Sequence, residues 1–504
     1  MGQPGKEAKS IPFLSTGVEG LDRVLCGGLT PDRLYLVEGT PGAGKTTLAL
    51  QFLREGAMRG EPVLYVTLSE TEEELRAVAA SHGLDLAGVR VREVIPTEDS
   101  LTPDQRYTVF HPSEIELSDT TRAILSEVDS VRPKRVVFDS LSELRLLAGS
   151  ALRFRRQVLA LKQFFVGRNC TVLLLDDRTS AEHDLQIQSI AHGVLMLEQM
   201  YPEYGATRRR LRVIKYRGVQ FRGGFHDFLI RRGGLQVFER VVAAESRSPT
   251  QTRRLSTGNE QFDVLLGGGV ESGSSTLIVG AAGSGKSSIS AQIVAAAAKR
   301  GERAALFLFD ESPQTLVRRM EGLGVDFESH VISGLVALHQ IDPAELTLGE
   351  FAHKVRAAAV DDGVSVLVID SLNGYLNAMP EERFLTVHLH ELLTFLGQCS
   401  VATLMVGVHH GLIGTTMTSP VDASYLADSI VMLRYFEAEG EVRQAISVVK
   451  KRGGHHERTI REFRLGAPEG IHIGEPLREF HGVLTGIPVY QGRARALLKR
   501  KPPG

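Results

Sequence analysis

The chain has 504 residues, 42% of them hydrophobic, and Lys+Arg 58 against Asp+Glu 60 leave a formal charge of −2. Ordinary buried cores follow from that composition, so a disordered chain is excluded, and the charge balance excludes the whole-chain basic excess of a dedicated nucleic-acid or membrane-surface binder. The three cysteines, Cys26, Cys170 and Cys399, form no close pair or cluster, which argues against a disulfide framework or structural zinc; a cytoplasmic protein without membrane attachment is expected.

Taken in chain order, the sequence repeats itself. Ser15-Thr16-Gly17 followed by Asp22 and Gly27-Gly28 recurs as Ser256-Thr257-Gly258, Asp263 and Gly268-Gly269, at an offset of 241 residues. The same offset carries Lys45 to Lys286 and Glu70 to Glu311, and it drifts to 231 between Asp139 and Asp370. A polar stretch without apolar periodicity, AAESRSPTQTRRL, separates the copies. The expected domains are therefore 1–246 and 247–490, followed by a basic tail at 491–504.

Within each copy, short and nearly continuous apolar runs alternate with helix formers. LYLVEG, VLYVTL, RVVFD and TVLLLD in the first half, then TLIVG, AALFLF, VLVID and ATLMVGV in the second, read as strands buried on both faces. Such strands belong to a parallel sheet covered by helices, so each half is α/β.

LYLVEG leads into Gly39-Thr40-Pro41-Gly42-Ala43-Gly44-Lys45-Thr46-Thr47, and TLIVG into Gly280-Ala281-Ala282-Gly283-Ser284-Gly285-Lys286-Ser287-Ser288. Both fit G-x-x-x-x-G-K-[ST] between a strand and a helix, which predicts a phosphate-binding loop in each half. Glycines let backbone N–H groups curl round phosphates, the lysine reaches the terminal ones, and Thr46 or Ser287 offers a hydroxyl to Mg²⁺. Asp139 and Asp370, each closing a buried strand, are the expected carboxylates of the metal site. An acid after the second strand is expected to activate the attacking oxygen: Glu70 in LSETEEEL, and the adjacent pair Asp310 and Glu311 in LFDESPQTL. Far along each copy, Lys215 with Arg217 and Lys450 with Arg452 form K-x-R pairs suited to reach the γ-phosphate of a neighbouring subunit, which requires a head-to-tail assembly.

With those residues assembled, the chain resembles the KaiC family of tandem-domain ATPases, over roughly residues 12–490. STGVEGLDRVLCGGL, the two phosphate loops, LFDES and ADSIVMLRYFEAEGEVRQAISVVKKRGGHHERTIREF carry the likeness. The resemblance implies two RecA-like P-loop domains and a hexameric double ring with ATP and Mg²⁺ between subunits. It further implies slow hydrolysis, serine/threonine autophosphorylation in the second ring, and signalling-protein partners. By the same likeness Glu70, Asp310 and Glu311 are the catalytic acids, and Lys215, Arg217, Lys450 and Arg452 the fingers supplied in trans. Ser69 stands where the family has a second glutamate, and Asp310 is a methylene shorter than its counterpart. The family's phosphorylated pair falls on Ser424-Tyr425, so Ser424 is the expected acceptor. Competing readings are a DNA-handling motor, for which Arg208-Arg209-Arg210 and Arg253-Arg254 are the available basic clusters, and an ATP-binding scaffold with little turnover, which Ser69 favours.

Overall fold

The computed structural model describes residues 12–94, 112–177, 185–243, 253–377, 385–408, 425–467, 470–483 and 489–490. Contacts divide the chain into two compact units, Met1–Arg240 and Val241–Gly504. The first runs α1 (Glu19–Val24), β1 (Leu34–Gly39), α2 (Lys45–Met58), β2 (Val63–Thr67), α3 (Glu72–Ser81), β3 (Val89–Glu93), α4 (Pro112–Val131), β4 (Arg135–Asp139), α5 (Leu141–Ala148), α6 (Ala151–Phe165), β5 (Thr171–Asp176), α7 (Leu185–Ile190), β6 (Gly193–Met200), β7 (Arg208–Tyr216), β8 (His226–Arg231) and β9 (Gly234–Phe238). The second continues β10 (Arg254–Leu255), α8 (Glu260–Leu265), β11 (Val270–Glu271), β12 (Ser275–Gly280), α9 (Lys286–Lys299), β13 (Ala304–Leu308), α10 (Pro313–Gly322), α11 (Glu328–Ile332), β14 (Val336–Gln340), α12 (Leu348–Val360), β15 (Val366–Asp370), α13 (Leu372–Asn377), α14 (Leu385–Gln398), β16 (Ala402–Val408), β17 (Ser429–Ala438), β18 (Glu441–Lys451), β19 (Arg461–Gly466), β20 (Gly470–Pro476), β21 (Phe480–His481) and β22 (Val489–Tyr490).

All eight apolar runs are strands, and each unit closes them into one nine-stranded sheet. The orders β3-β2-β4-β5-β1-β6-β7-β8-β9 and β14-β13-β15-β16-β12-β17-β18-β19-β20 superimpose strand for strand. The first six strands of each order are parallel and the rest antiparallel. Both faces of the parallel part are buried, which explains why these strands lack a polar side. Leu36, Val66, Phe138 and Leu174 enter one core, and their chain neighbours Val37, Tyr65, Val137 and Leu173 enter the other. The second unit builds the same two layers from Ile278, Leu306 and Val368 against Leu277, Phe307 and Ile369.

The repeated Ser-Thr-Gly motif has a structural role. Ser15 Oγ donates to Asp22 Oδ2 at 2.7 Å, while the Thr16 N–H and Oγ1 donate to Oδ1 at 2.8 and 2.7 Å. Ser256 and Thr257 clasp Asp263 identically, at 2.5, 2.7 and 2.7 Å. In each unit this clasp pins the segment around the short first helix.

Candidate active site

In both units the glycine loop joins the central parallel strand to a largely buried helix of 14 residues. Gly44 and Gly285 precede α2 and α9 with φ of 98° and 94°, a left-handed conformation suited to glycine, and no side chain caps either helix. A Cβ on Gly44 would meet Ile230 Cδ1 at 2.8 Å, and one on Gly285 would meet Leu465 Cδ1 at 2.5 Å. Among the described residues the first-turn N–H groups are therefore left without a capping side chain at the positive end of a helix, an arrangement that attracts anions. Thr40, Pro41, Gly42, Ala282 and Gly283 are exposed along the loops, and Gly39 and Gly280 close the strands. Ala43, Ser284, Thr47 and Ser288 are instead buried. The side chains of these four pack inward, which leaves their backbone to face the loop.

The lysines lie back over the loops. Lys45 Nζ donates to the Gly39 and Thr40 carbonyls at 2.9 and 3.0 Å and pairs with Asp177 Oδ1 at 2.8 Å. Lys286 Nζ donates to the Ala281 carbonyl at 2.7 Å. Burial holds the Lys286 ammonium below its ordinary range, opposed by the charge of Asp370.

The strand-end acids meet the loop hydroxyls. Thr46 Oγ1 donates to Asp139 Oδ2 at 3.1 Å, and Tyr65 OH donates to the same oxygen at 2.5 Å. Burial raises the Asp139 carboxyl, and the two hydroxyl bonds oppose that rise. Burial, then the charge of Asp139, pushes the Tyr65 phenol well up. Ser287 bonds Asp370, whose carboxyl burial drives up to about 6, assisted by the charges of Glu311 and Asp310. A hydroxyl and a buried carboxylate in contact are the hard oxygen donors that Mg²⁺ takes. Both acids are followed by a cis peptide bond.

The acids after the second strand differ between units. Glu70 is half-buried, and its Oε2 is buried without a partner among the described residues. Burial first, then the charges of Asp139, Glu74 and Asp177, raises its carboxyl. Glu311 is gripped instead: Arg319 Nη1 and Nη2 reach its two oxygens at 2.6 and 2.7 Å. Asp310, beside it, is exposed. At the position of Arg319 the first unit has Val78.

The K-x-R pairs stand at the other end of their sheets. Lys215 pairs in register with Val194, and Val194 with Leu36, so Lys215 is level with a residue three positions before Gly39. Lys450 is level with Leu277 through Ile430, again three positions before the loop. At about 3.3 Å per residue that separation is about 10 Å before the loop begins. Arg217 and Arg452 lie one residue past β7 and β18, further still from their own loop. In each pair the lysine is on the strand and the arginine beyond its end. Lys215 donates to the Gln188 carbonyl and Arg217 Nη2 to the Ser189 carbonyl at 2.7 Å. Lys450 Nζ holds the Ala427 carbonyl at 2.8 Å, and Arg452 the Tyr425 carbonyl at 2.6 Å and Asp428 Oδ1 at 3.3 Å. Burial lowers the Lys215 ammonium, followed by the charge of Arg217.

Ser424 lies outside the described residues; Tyr425, next to it, is exposed. The basic clusters considered for nucleic acid are partly neutralised, Arg210 by Glu198 at 2.9 Å and Arg253 by Glu302 at 3.2 Å. Three participants escaped the sequence reading: Tyr65, Asp177 and Arg319. Tyr65 hides in an apolar run. Arg319 sits eight residues past Glu311, two helical turns along α10, and only the offset comparison with Val78 could have marked it.

A parallel sheet carrying a glycine loop between its central strand and a helix, with an acid on a nearby strand touching the loop hydroxyl, defines a P-loop nucleoside triphosphatase; here two such RecA-like domains stand in tandem. A family model described as "ATPase: KaiC" matches residues 14–242 and 255–478. The chain belongs to the KaiC ATPase family. It is 27% identical over 495 residues to the circadian clock protein KaiC3 of Synechocystis sp., covering 97% of each chain. It is 28% identical over 488 residues to the circadian clock oscillator protein KaiC of Parathermosynechococcus lividus, covering 96% of this chain and 89% of that one. The KaiC of Synechococcus elongatus is 27% identical over 489 residues, covering 96% and 93%. Among the described residues no helix is long and apolar enough to cross a membrane.

Proposed function

We propose that the chain is a Mg-ATP-dependent ATPase and serine autokinase whose sites are completed by neighbouring subunits of a hexameric double ring. Gly39–Thr47 and Gly280–Ser288 hold the polyphosphate, with Lys45 and Lys286 at its terminal groups. Thr46 with Asp139, and Ser287 with Asp370, hold Mg²⁺, which when bound neutralises charge developing on the phosphate oxygens. The orphaned Glu70 Oε2 and the paired hydroxyl and carboxylate donors fit such a group. Glu70 in the first unit, and Asp310 with Glu311 in the second, orient the attacking oxygen and accept its proton. In the kinase step the Ser424 hydroxyl takes the γ-phosphoryl group and ADP leaves.

One observation carries the assembly: Lys215, Arg217, Lys450 and Arg452 lie at the sheet end opposite their own phosphate loop. A cation there serves a γ-phosphate presented by another copy, and repeating that contact by rotation closes a ring. Arg452 also holds the carbonyl of Tyr425, the residue that follows Ser424 in the sequence. The test is light scattering with and without Mg-ATP, followed by γ-labelled ATP and peptide mapping. A six-chain mass with nucleotide and label on Ser424 are expected. A single-chain mass under both conditions refutes the subunit contact, and unlabelled protein that consumes ATP refutes the kinase.

A further inference from the structure

The first unit's phosphate-loop lysine already has a carboxylate. An ammonium carries three N–H groups, and those of Lys45 are met by Gly39, Thr40 and Asp177 at 2.9, 3.0 and 2.8 Å. Asp177 follows directly on β5, the strand between β1 and β4, so it stands where the loop and Asp139 meet. Its charge reaches both Glu70 and Asp139. The lysine is buried, and the Asp177 side chain is 30% exposed, which lets solvent screen the pair only in part.

The second unit supplies the comparison. Leu34 pairs with Val172 as Ser275 pairs with Thr403, so five residues further along, Asp177 corresponds to Val408. Lys286 has no carboxylate at that position, and its recorded partner among the described residues is the Ala281 carbonyl.

We propose that Asp177 sets the nucleotide affinity of the first unit by occupying Lys45 until a polyphosphate displaces it. The proposal rests on the reading of Lys45 as a phosphate ligand. Two effects act in the same direction. Incoming phosphates must break an ion pair to gain the lysine, and the released carboxylate then stands beside them as a like charge. Val408 exerts neither effect on the second loop.

The test is binding of a fluorescent ATP analogue to the full chain in EDTA, where no metal contributes. In a Lys286→Ala background, which leaves the first loop to be read alone, Asp177→Asn tightens binding about tenfold, the factor corresponding to about 1.4 kcal/mol. Asp177→Ser, equally neutral, does the same and guards against a folding defect peculiar to one variant. In a Lys45→Ala background, Val408→Asp weakens the second loop by about the same factor. Unchanged or weaker binding in both Asp177 variants, with native thermal unfolding, overturns the proposal. The reading beneath it fails differently: first-loop binding that survives Lys45→Ala removes Lys45 as a phosphate ligand, whatever Asp177 does.

Discussion

The two units share a skeleton and differ in how they balance charge. Glu70, Asp139 and Asp177 surround the first loop with Lys45 as their cation, whereas Asp310, Glu311 and Asp370 surround the second with Lys286 and Arg319. Glu70 accordingly has a raised carboxyl whose Oε2 lacks a partner among the described residues, while Glu311 is held at both oxygens. Elsewhere a charge pair disappears together. Arg145 grips Asp176 at 3.1 and 2.9 Å in the first unit, and the corresponding positions of the second are Leu376 and Gly407. Removing one partner alone would strand a buried charge, so joint loss is the tolerated route. The lesson is that duplication preserved loop, hydroxyl and strand-end acid, and let their electrostatic support diverge.

The largest effect that could break this comparison concerns the fingers. Arg452→Ala should lower single-turnover hydrolysis in the second unit about 10³-fold, with ATP binding retained, and Arg217→Ala should do so in the first. Rates within a few-fold of wild type in either variant would place the cation elsewhere.

Next comes the strand-end acid. A carboxyl raised from 3.8 to about 6 costs stability once pH rises through that range, since the unfolded chain releases the proton more readily. The cost approaches about 3 kcal/mol, two units at 1.36 each. Asp370→Asn should therefore stabilise the nucleotide-free protein in EDTA at pH 8 by up to that amount, with the advantage vanishing below pH 3.8. Urea unfolding at both pH values measures it, and a variant no more stable at pH 8 contradicts the buried-carboxylate account.

The smallest effect separates the units most finely. Tyr65→Phe removes one hydrogen bond to a charged acceptor and should cost about 1.5 kcal/mol in unfolding. Leu306, which occupies that position in the second unit, makes no such bond. Equal stability of Tyr65→Phe and wild type would mean the phenol only fills space.

Much of this was legible in the sequence. All eight apolar runs became strands, and both loops, Asp139 and Asp370 fell where their motifs put them, because strand burial and glycine geometry are local properties. Two strands were harder to read: antiparallel β7 carries RRRLRVIKY and the parallel edge strand β3 carries VRVRE, partly exposed strands whose charges mask their alternation. The charge partners were hidden for another reason. Asp177, Tyr65 and Arg319 act across strands or helical turns, so their meaning depends on which elements become neighbours, and no single segment states that.

Placing phosphate grip and arginine at opposite ends of one sheet has a genetic corollary. In a closed ring, damage to a loop silences the pocket of the chain that bears it, whereas damage to a finger silences the pocket next door. Two differently crippled alleles, neither active alone, would then regain some working pockets when their products are mixed.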